Sequence, residues 1–150
     1  PKVLVETGIT GREVEVAVLG GHGDDAPRVA EPGEIVMDAS HGAGEFYDYQ
    51  TKYLAHDAVQ MVCPARLTAA ERELVMSTAA EAFLAIEGLT RVDFFVTDDG
   101  RAVVNEVNTM PGFTPFSMYP YMWEVTGMDY TALIGELIEL ALERPADVNR

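Results

Sequence analysis

The chain holds 150 residues, 25 of them acidic and 10 basic, for a formal charge of −15 and a pI near 4.3. That sign argues against binding a nucleic-acid backbone, which takes clustered Lys and Arg, and against a polybasic membrane surface; no apolar run approaches the ~18 residues that span a bilayer. A hydrophobic share of 48% fits a folded domain rather than an acidic tail, and the lone Cys63 forbids an internal disulfide and fits a reducing compartment, the cytoplasm.

Residues 2–5 (Lys-Val-Leu-Val) read as a buried strand with no leader or cap before them, which marks the sequence as a piece of a longer protein. A Gly8/Gly11 turn joins this strand to residues 13–19, where Val14, Val16 and Val18 alternate with Glu13 and Glu15. Residues 20–33 read as a Gly/Asp/Pro loop, 34–37 as a short strand and 38–44 as a second loop. The run Glu45-Phe-Tyr-Asp-Tyr-Gln-Thr-Lys-Tyr53 is too aromatic for a plain solvent loop. Thr68 and Glu71 stand at the spacing of a capping box. Behind them Val75, Ala79, Ala82, Phe83 and Ile86 recur at helical intervals and Gly88 is placed as a left-handed stop, predicting a helix over 69–87. A hairpin over 91–108 follows, then a loop to Phe116, a short helix opened by Ser117 and closed by Gly127, and an amphipathic helix 130–143 capped by Asp129. Strands in hairpins mixed with helices predict an α+β fold with a largely antiparallel sheet and flanking helices.

The hairpin carries the strongest chemistry. A two-residue Asp99-Gly100 turn sets Asp93 opposite Glu106 and Arg91 opposite Asn108, all four on one face, and sends Val92, Phe94, Val96, Val103 and Val107 to the core. Facing carboxylates repel. A cation between them turns that repulsion into coordination, and two carboxylates with an amide oxygen suit Mg²⁺ or Mn²⁺. The competing reading is a solvated polar face on which Arg91 neutralises the acids.

Two loops add candidates. Lys52, one of two lysines in the chain, sits among tyrosines as a phosphate contact or as a plain surface lysine. In Asn108-Thr-Met-Pro-Gly-Phe-Thr-Pro-Phe-Ser117, Gly112 permits close backbone approach and Ser117 opens a helix whose free N–H groups attract an anion; an ordinary Pro/Gly loop with an N-cap serine reads equally from the same residues. Cys63 beside Pro64 reads as buried, His22, His41 and His56 lack metal-ligand spacing, and Trp123 with its neighbouring methionines reads as helix packing.

Four stretches together, 105–117, 91–95 (Arg-Val-Asp-Phe-Phe), 47–53 (Tyr-Asp-Tyr-Gln-Thr-Lys-Tyr) and 5–19, resemble the D-alanine–D-alanine ligase family of ATP-grasp enzymes, in order, from residue 2 to about 143. The resemblance implies that Asp93, Glu106 and Asn108 hold two Mg²⁺ or Mn²⁺ ions. It implies that Arg91 and the Gly112 N–H stabilise the oxyanion of a tetrahedral intermediate, and that Ser117 with the Met118 N–H binds the carboxylate of the second D-alanine. Lys52 is then a contact of the terminal phosphate, and Tyr53 helps close its loop over the substrates. Glu6 becomes an adenine contact, Phe46 a purine-packing residue and Glu13 a ribose ligand. The implied reaction is phosphorylation of one D-alanine by ATP and attack by the amine of a second, for peptidoglycan precursor synthesis.

The family's N-terminal domain and most of its small central lobe, with the basic groups that hold phosphates, have no counterpart here. The chain is therefore expected to be the C-terminal portion of the ATP-grasp module, inactive alone, part of a homodimer when full length. Relatives that use D-lactate as acceptor tend to carry histidine where Tyr53 stands, which favours the dipeptide product; a truncated, non-catalytic metal-binding or interaction module is the other alternative.

Overall fold

Alternating valine and glutamate make the central strand. In the computed structural model, which describes residues 2, 3, 5–37 and 59–144, β1 (Arg12–Leu19) is followed by β2 (Arg28–Val29), β3 (Gly33–Met37) and β4 (Val59–Val62). Helix α1 (Ala69–Phe83), the hairpin β5 (Leu89–Val96) and β6 (Ala102–Asn108), and helices α2 (Met118–Thr126) and α3 (Tyr130–Glu143) complete the order. All strand pairs are antiparallel, arranged β4-β3-β1-β5-β6, with β2 beside β3 along the same edge of β1. The α+β fold with an antiparallel sheet and flanking helices is as the sequence predicts.

The sheet has two differently dressed faces. On one, Val75, Ala79 and Phe83 of α1 close over Val14, Val16, Val18, Val92, Phe94 and Val96. The Thr68/Glu71 capping box starts α1, with both reciprocal bonds present. A cap contributes about 1 kcal/mol, whereas each fully buried Val or Phe contributes roughly 1.5–3 kcal/mol, so packing outweighs capping in holding α1 down. On the other face, Met118, Tyr119, Met122, Trp123 and Leu133 of α2 and α3 pack on Ala17, Leu19 and Ala30. The Tyr119 hydroxyl donates to the Val18 carbonyl at 2.9 Å. Farther along β1 and β5 this face carries the charged Glu13, Glu15, Arg91 and Asp93, with Phe95 opposite Glu13.

Several expectations shift. Val3 and Val5 are 83% and 87% exposed and form no strand. Both edges of β1 are already taken, by β5 along its whole length and by β3 and β2 in succession, which leaves Val3 and Val5 no place beside it. The expected loop 20–33 contains the short β2. Helix α1 ends at Phe83, its last turn tightened by Leu84 N–H donating to Glu81 at 3.2 Å. Gly88 does adopt φ +82°, but its carbonyl accepts from Gly20 N–H at 2.9 Å at the entry to β5. Asp129 caps α3 through Ala132 N–H, as expected. Cys63 is half-buried rather than buried; desolvation first, and the Glu31 charge second, push its thiol up to about 11, which leaves it a poor nucleophile.

Tertiary folding also gives His22 partners that its sequence position hides. Its Nδ1 lies 2.7 Å from Glu143 Oε1 and its Nε2 3.2 Å from Glu136 Oε2, both on α3. Ligand atoms of His22, Glu136 and Glu139 fall within 4.8 Å of one another, but the Arg28 guanidinium, paired with Glu136, supplies the positive charge at that spot. Bonds to Glu143, then to Glu136, raise the imidazole above its ordinary 6.5. The contribution of the clamp to stability is therefore complete below pH 6.5 and is lost as pH climbs through the raised value. Thermal unfolding of wild type and His22→Gln should differ most below pH 6.5 and converge as pH rises through the raised value. An equal gap at acid and alkaline pH would show that charge is not what the clamp uses.

Candidate functional site

The hairpin β5–β6 positions the site. Gly100 takes φ +79°, but the loop spans 97–101, closed by Thr97 N–H to Arg101 at 2.9 Å and Gly100 N–H to Thr97 at 2.8 Å. Val96 therefore pairs with Ala102, Phe95 with Val103 and Phe94 with Val104, one residue off a two-residue hairpin. A register shift at Asp93/Phe94 then takes up Asn105 as an extra residue, after which Asp93 faces Glu106 and Arg91 faces Asn108. The expected pairs form by a different route. Two core expectations are corrected: Val103 stands opposite Phe95, on the side of Arg91 and Asp93, while Ala102 joins the core under α1, and Val107, opposite Val92, is 40% exposed on the edge strand.

Three carboxylates line up across three strands, since Glu15 of β1 pairs with Asp93 of β5, which pairs with Glu106 of β6. Arg91 holds them together. Its Nε and NH2 donate to the two oxygens of Asp93 at 2.7 and 2.6 Å, with Glu15 at 3.3 Å and Glu106 at 3.8 Å. The Arg91, Glu15 and Asp93 side chains are only 11%, 13% and 15% exposed, so these charges meet in a weakly screened setting, while Glu106 is 55% exposed. Burial alone works against the Arg91 charge, but the Asp93 bonds and the three acids outweigh it and hold the guanidinium cationic, above its usual range. Beside this group lies a cleft of about 230 Å³ whose lining includes Glu13, Glu15, Asp93, Phe95 and Asn105.

At the far end of β6 the chain is pinned for a tight loop. Thr90 Oγ1 donates to the Asn108 carbonyl at 3.0 Å, and Asn108 Oδ1 accepts from Met110 N–H at 3.0 Å. Gly112 lies against Ser117: a Cβ there would sit 2.9 Å from Ser117 Oγ. Ser117 Oγ accepts from Thr114 N–H at 3.0 Å and makes no cap bond to α2. The first-turn amides of α2 are thus left for another acceptor. Tyr130 of α3 braces the loop by donating to the Phe113 carbonyl at 2.9 Å.

The structure thus brings Arg91, Asp93, Glu106 and Asn108 onto one face, with Glu13 beside them on β1, and sets Gly112 against Ser117 in the loop that follows. Glu6 lies in the exposed segment before β1. Phe46, Lys52 and Tyr53 lie outside the described residues. Glu15 was not singled out from sequence, although its place two residues from Glu13 puts it on the same face. A larger hollow of about 600 Å³, walled by Gly20, Phe83, Ile86, Leu137 and Leu140 among others, holds none of the expected site residues.

The fold recurs in known proteins. A D-alanine–D-alanine ligase of Kocuria rhizophila is 55% identical over 146 residues, covering 96% of this chain and 37% of its own length. A solved D-alanine–D-alanine ligase of Coxiella burnetii superposes with TM-score 0.72 at 38% identity, over 93% of this chain and 34% of its own. A Bacillus anthracis ligase of the same name, solved in complex with ATP, gives TM-score 0.69 at 26% identity over 91% of this chain and 40% of its own. The chain accordingly spans little more than a third of the length of these relatives. The family described as the D-ala D-ala ligase C-terminus matches residues 1–139, nearly the whole chain. With a family match over nearly its whole length and relatives of this identity, this chain belongs to the D-alanine–D-alanine ligase C-terminal family.

Proposed function

We propose that this chain is the C-terminal part of an ATP-dependent ligase that joins two D-alanines through a D-alanyl phosphate. The observation that carries the reading is the facing pair Asp93 and Glu106, with Asn108 next along β6 and Arg91 among them. Asp93, Glu106 and Asn108 are hard oxygen donors and fit two Mg²⁺ or Mn²⁺ ions completed by water and phosphate oxygens. Bound there, the ions would neutralise the triphosphate and the transferring phosphoryl group.

The chain's own residues do the rest. Arg91, kept cationic on a largely buried sheet face, faces negative charge that develops on the acyl carbon's oxygen when the second amine attacks. The Gly112 N–H supplies a second donor to that oxygen, since glycine leaves its backbone accessible. Ser117 and the unsatisfied first-turn N–H groups of α2, that of Met118 first, take the acceptor's carboxylate. Glu13, at the cleft wall, is suited to a ribose hydroxyl pair, and the resemblance assigns Glu6 to the adenine, Phe46 to its ring face, Lys52 to the terminal phosphate and Tyr53 to closure. In the first step a D-alanine carboxylate oxygen bonds to the γ-phosphorus and ADP leaves. In the second an amine nitrogen bonds to the acyl carbon, inorganic phosphate leaves and the amine gives up a proton.

The test is product analysis on the full-length enzyme. Incubation with ATP, Mg²⁺ and D-alanine should release ADP, phosphate and D-alanyl-D-alanine in equal amounts, and D-lactate offered as acceptor should yield little depsipeptide. ADP release without dipeptide, or preferential depsipeptide formation, would overturn the assignment of the acceptor.

A further inference from the structure

We infer that Glu15 is a positioning residue: it keeps Arg91 on this sheet face when Asp93 gives up its bonds to Arg91 and turns to the metal. The inference rests on the reading that Asp93 and Glu106 are metal ligands. As the structure stands, both Asp93 oxygens are occupied by Arg91, at 2.7 and 2.6 Å. A guanidinium fork takes the inward lone pair of each carboxylate oxygen and leaves a cation only the outer ones, and the incoming cation repels the guanidinium. Arg91 therefore needs another anion. Its side chain is 11% exposed, so water replaces a lost counter-charge poorly there.

The row of acids supplies one. Asp93 is the middle member, with Glu106 on the β6 side and Glu15 on the β1 side. A cation held by Asp93 and Glu106 uses that side of the row. Glu15 stands on the other side, 3.3 Å from Arg91 Nε and 13% exposed. Its strand neighbours fix it there: Val14 and Val16, 1% and 0% exposed, lock β1 into the core and leave Glu15 no other face to occupy. The position opposite Arg91 on β1 is Ala17, which offers no charge, so within β1 the task falls to Glu15. Without Glu15, Arg91 would cling to Asp93 and compete with the metal.

Mn²⁺ binding in the presence of ADP, followed by electron paramagnetic resonance on the full-length enzyme, reads this without turnover. Glu15→Gln should weaken Mn²⁺ roughly tenfold, the scale seen when an outer partner of a metal site is lost, and Glu15→Asp should restore part of the loss. In an Arg91→Gln background Glu15→Gln should change nothing, because the competitor is gone; a cycle of the four proteins measures this coupling. An equal loss in both backgrounds would make Glu15 a direct ligand or a remote charge and would overturn the inference, as would no loss in either. Mn²⁺ binding that survives Asp93→Asn and Glu106→Gln unchanged would instead overturn the metal reading itself.

Discussion

Glu106→Gln in the full-length ligase should lose ligation by more than ~100-fold, beyond the ~10–100-fold cost of removing a group that merely supports a metal ligand, while unfolding at an unchanged temperature. The two halves of this expectation have separate causes. Glu106 lies on the edge strand β6 with its side chain 55% exposed and 3.8 Å from Arg91, and an ion pair of that exposure contributes little to stability. Its chemical weight comes from facing Asp93, where glutamine keeps the shape but gives up the charge that a hard cation needs. Steady-state ligation and thermal unfolding of the same preparation check both halves. Titration of Mg²⁺, Mn²⁺ and Ca²⁺ with and without ATP separates this from a calcium module, which would bind Ca²⁺ tightly and ignore the nucleotide. Full activity in Glu106→Gln would remove the metal assignment.

Arg91→Met should abolish ligation and also destabilise the protein by about 3–5 kcal/mol, the cost of leaving buried charges without their partner. Glu15 and Asp93 are 13% and 15% exposed and share this one guanidinium, so its loss strips a counter-charge from both at once. Methionine preserves most of the volume, which assigns the loss to charge rather than to a cavity. Added Mg²⁺ should recover part of the stability, because a cation at Asp93 replaces what was removed. Urea unfolding with and without Mg²⁺ measures this; a variant as stable as wild type would mean that the carboxylates are better solvated than their exposure indicates.

Most of this architecture was legible in local pattern. The Val14/Val16/Val18 alternation fixed which face of β1 is buried, and the Thr68/Glu71 and Asp129 signals set the starts of α1 and α3 because caps act through bonds three residues long. The strand expected at residues 2–5 failed for a non-local reason: β1 had no edge to offer. The Arg91–Asn108 and Asp93–Glu106 pairs were legible although the turn was read too short, since the residue gained in the loop was returned at Asn105. Val103, between those two features, is where the simpler register gives the wrong face. The resemblance supplied roles that geometry alone does not carry, for Glu6, Phe46, Lys52 and Tyr53 above all. Glu15 reads in the sequence only as one of two acids alternating with the β1 valines, because its meaning depends on Arg91, 76 positions away in sequence and beside it across the sheet.

The extra residue at Asn105 divides the hairpin into two mechanically independent ends. Between it and the turn, strand pairing follows the 97–101 loop; beyond it, pairing is tied to Thr90, Arg91 and the rigid centre of the sheet. The turn is thus free to drift in composition and length over evolutionary time, with slack absorbed before it reaches the acids. Removing Asn105 would erase that slack without moving the acids: Glu106 would follow Val104 directly and still stand opposite Asp93, so the turn and the site would share one register and any later change of turn length would reach Glu106.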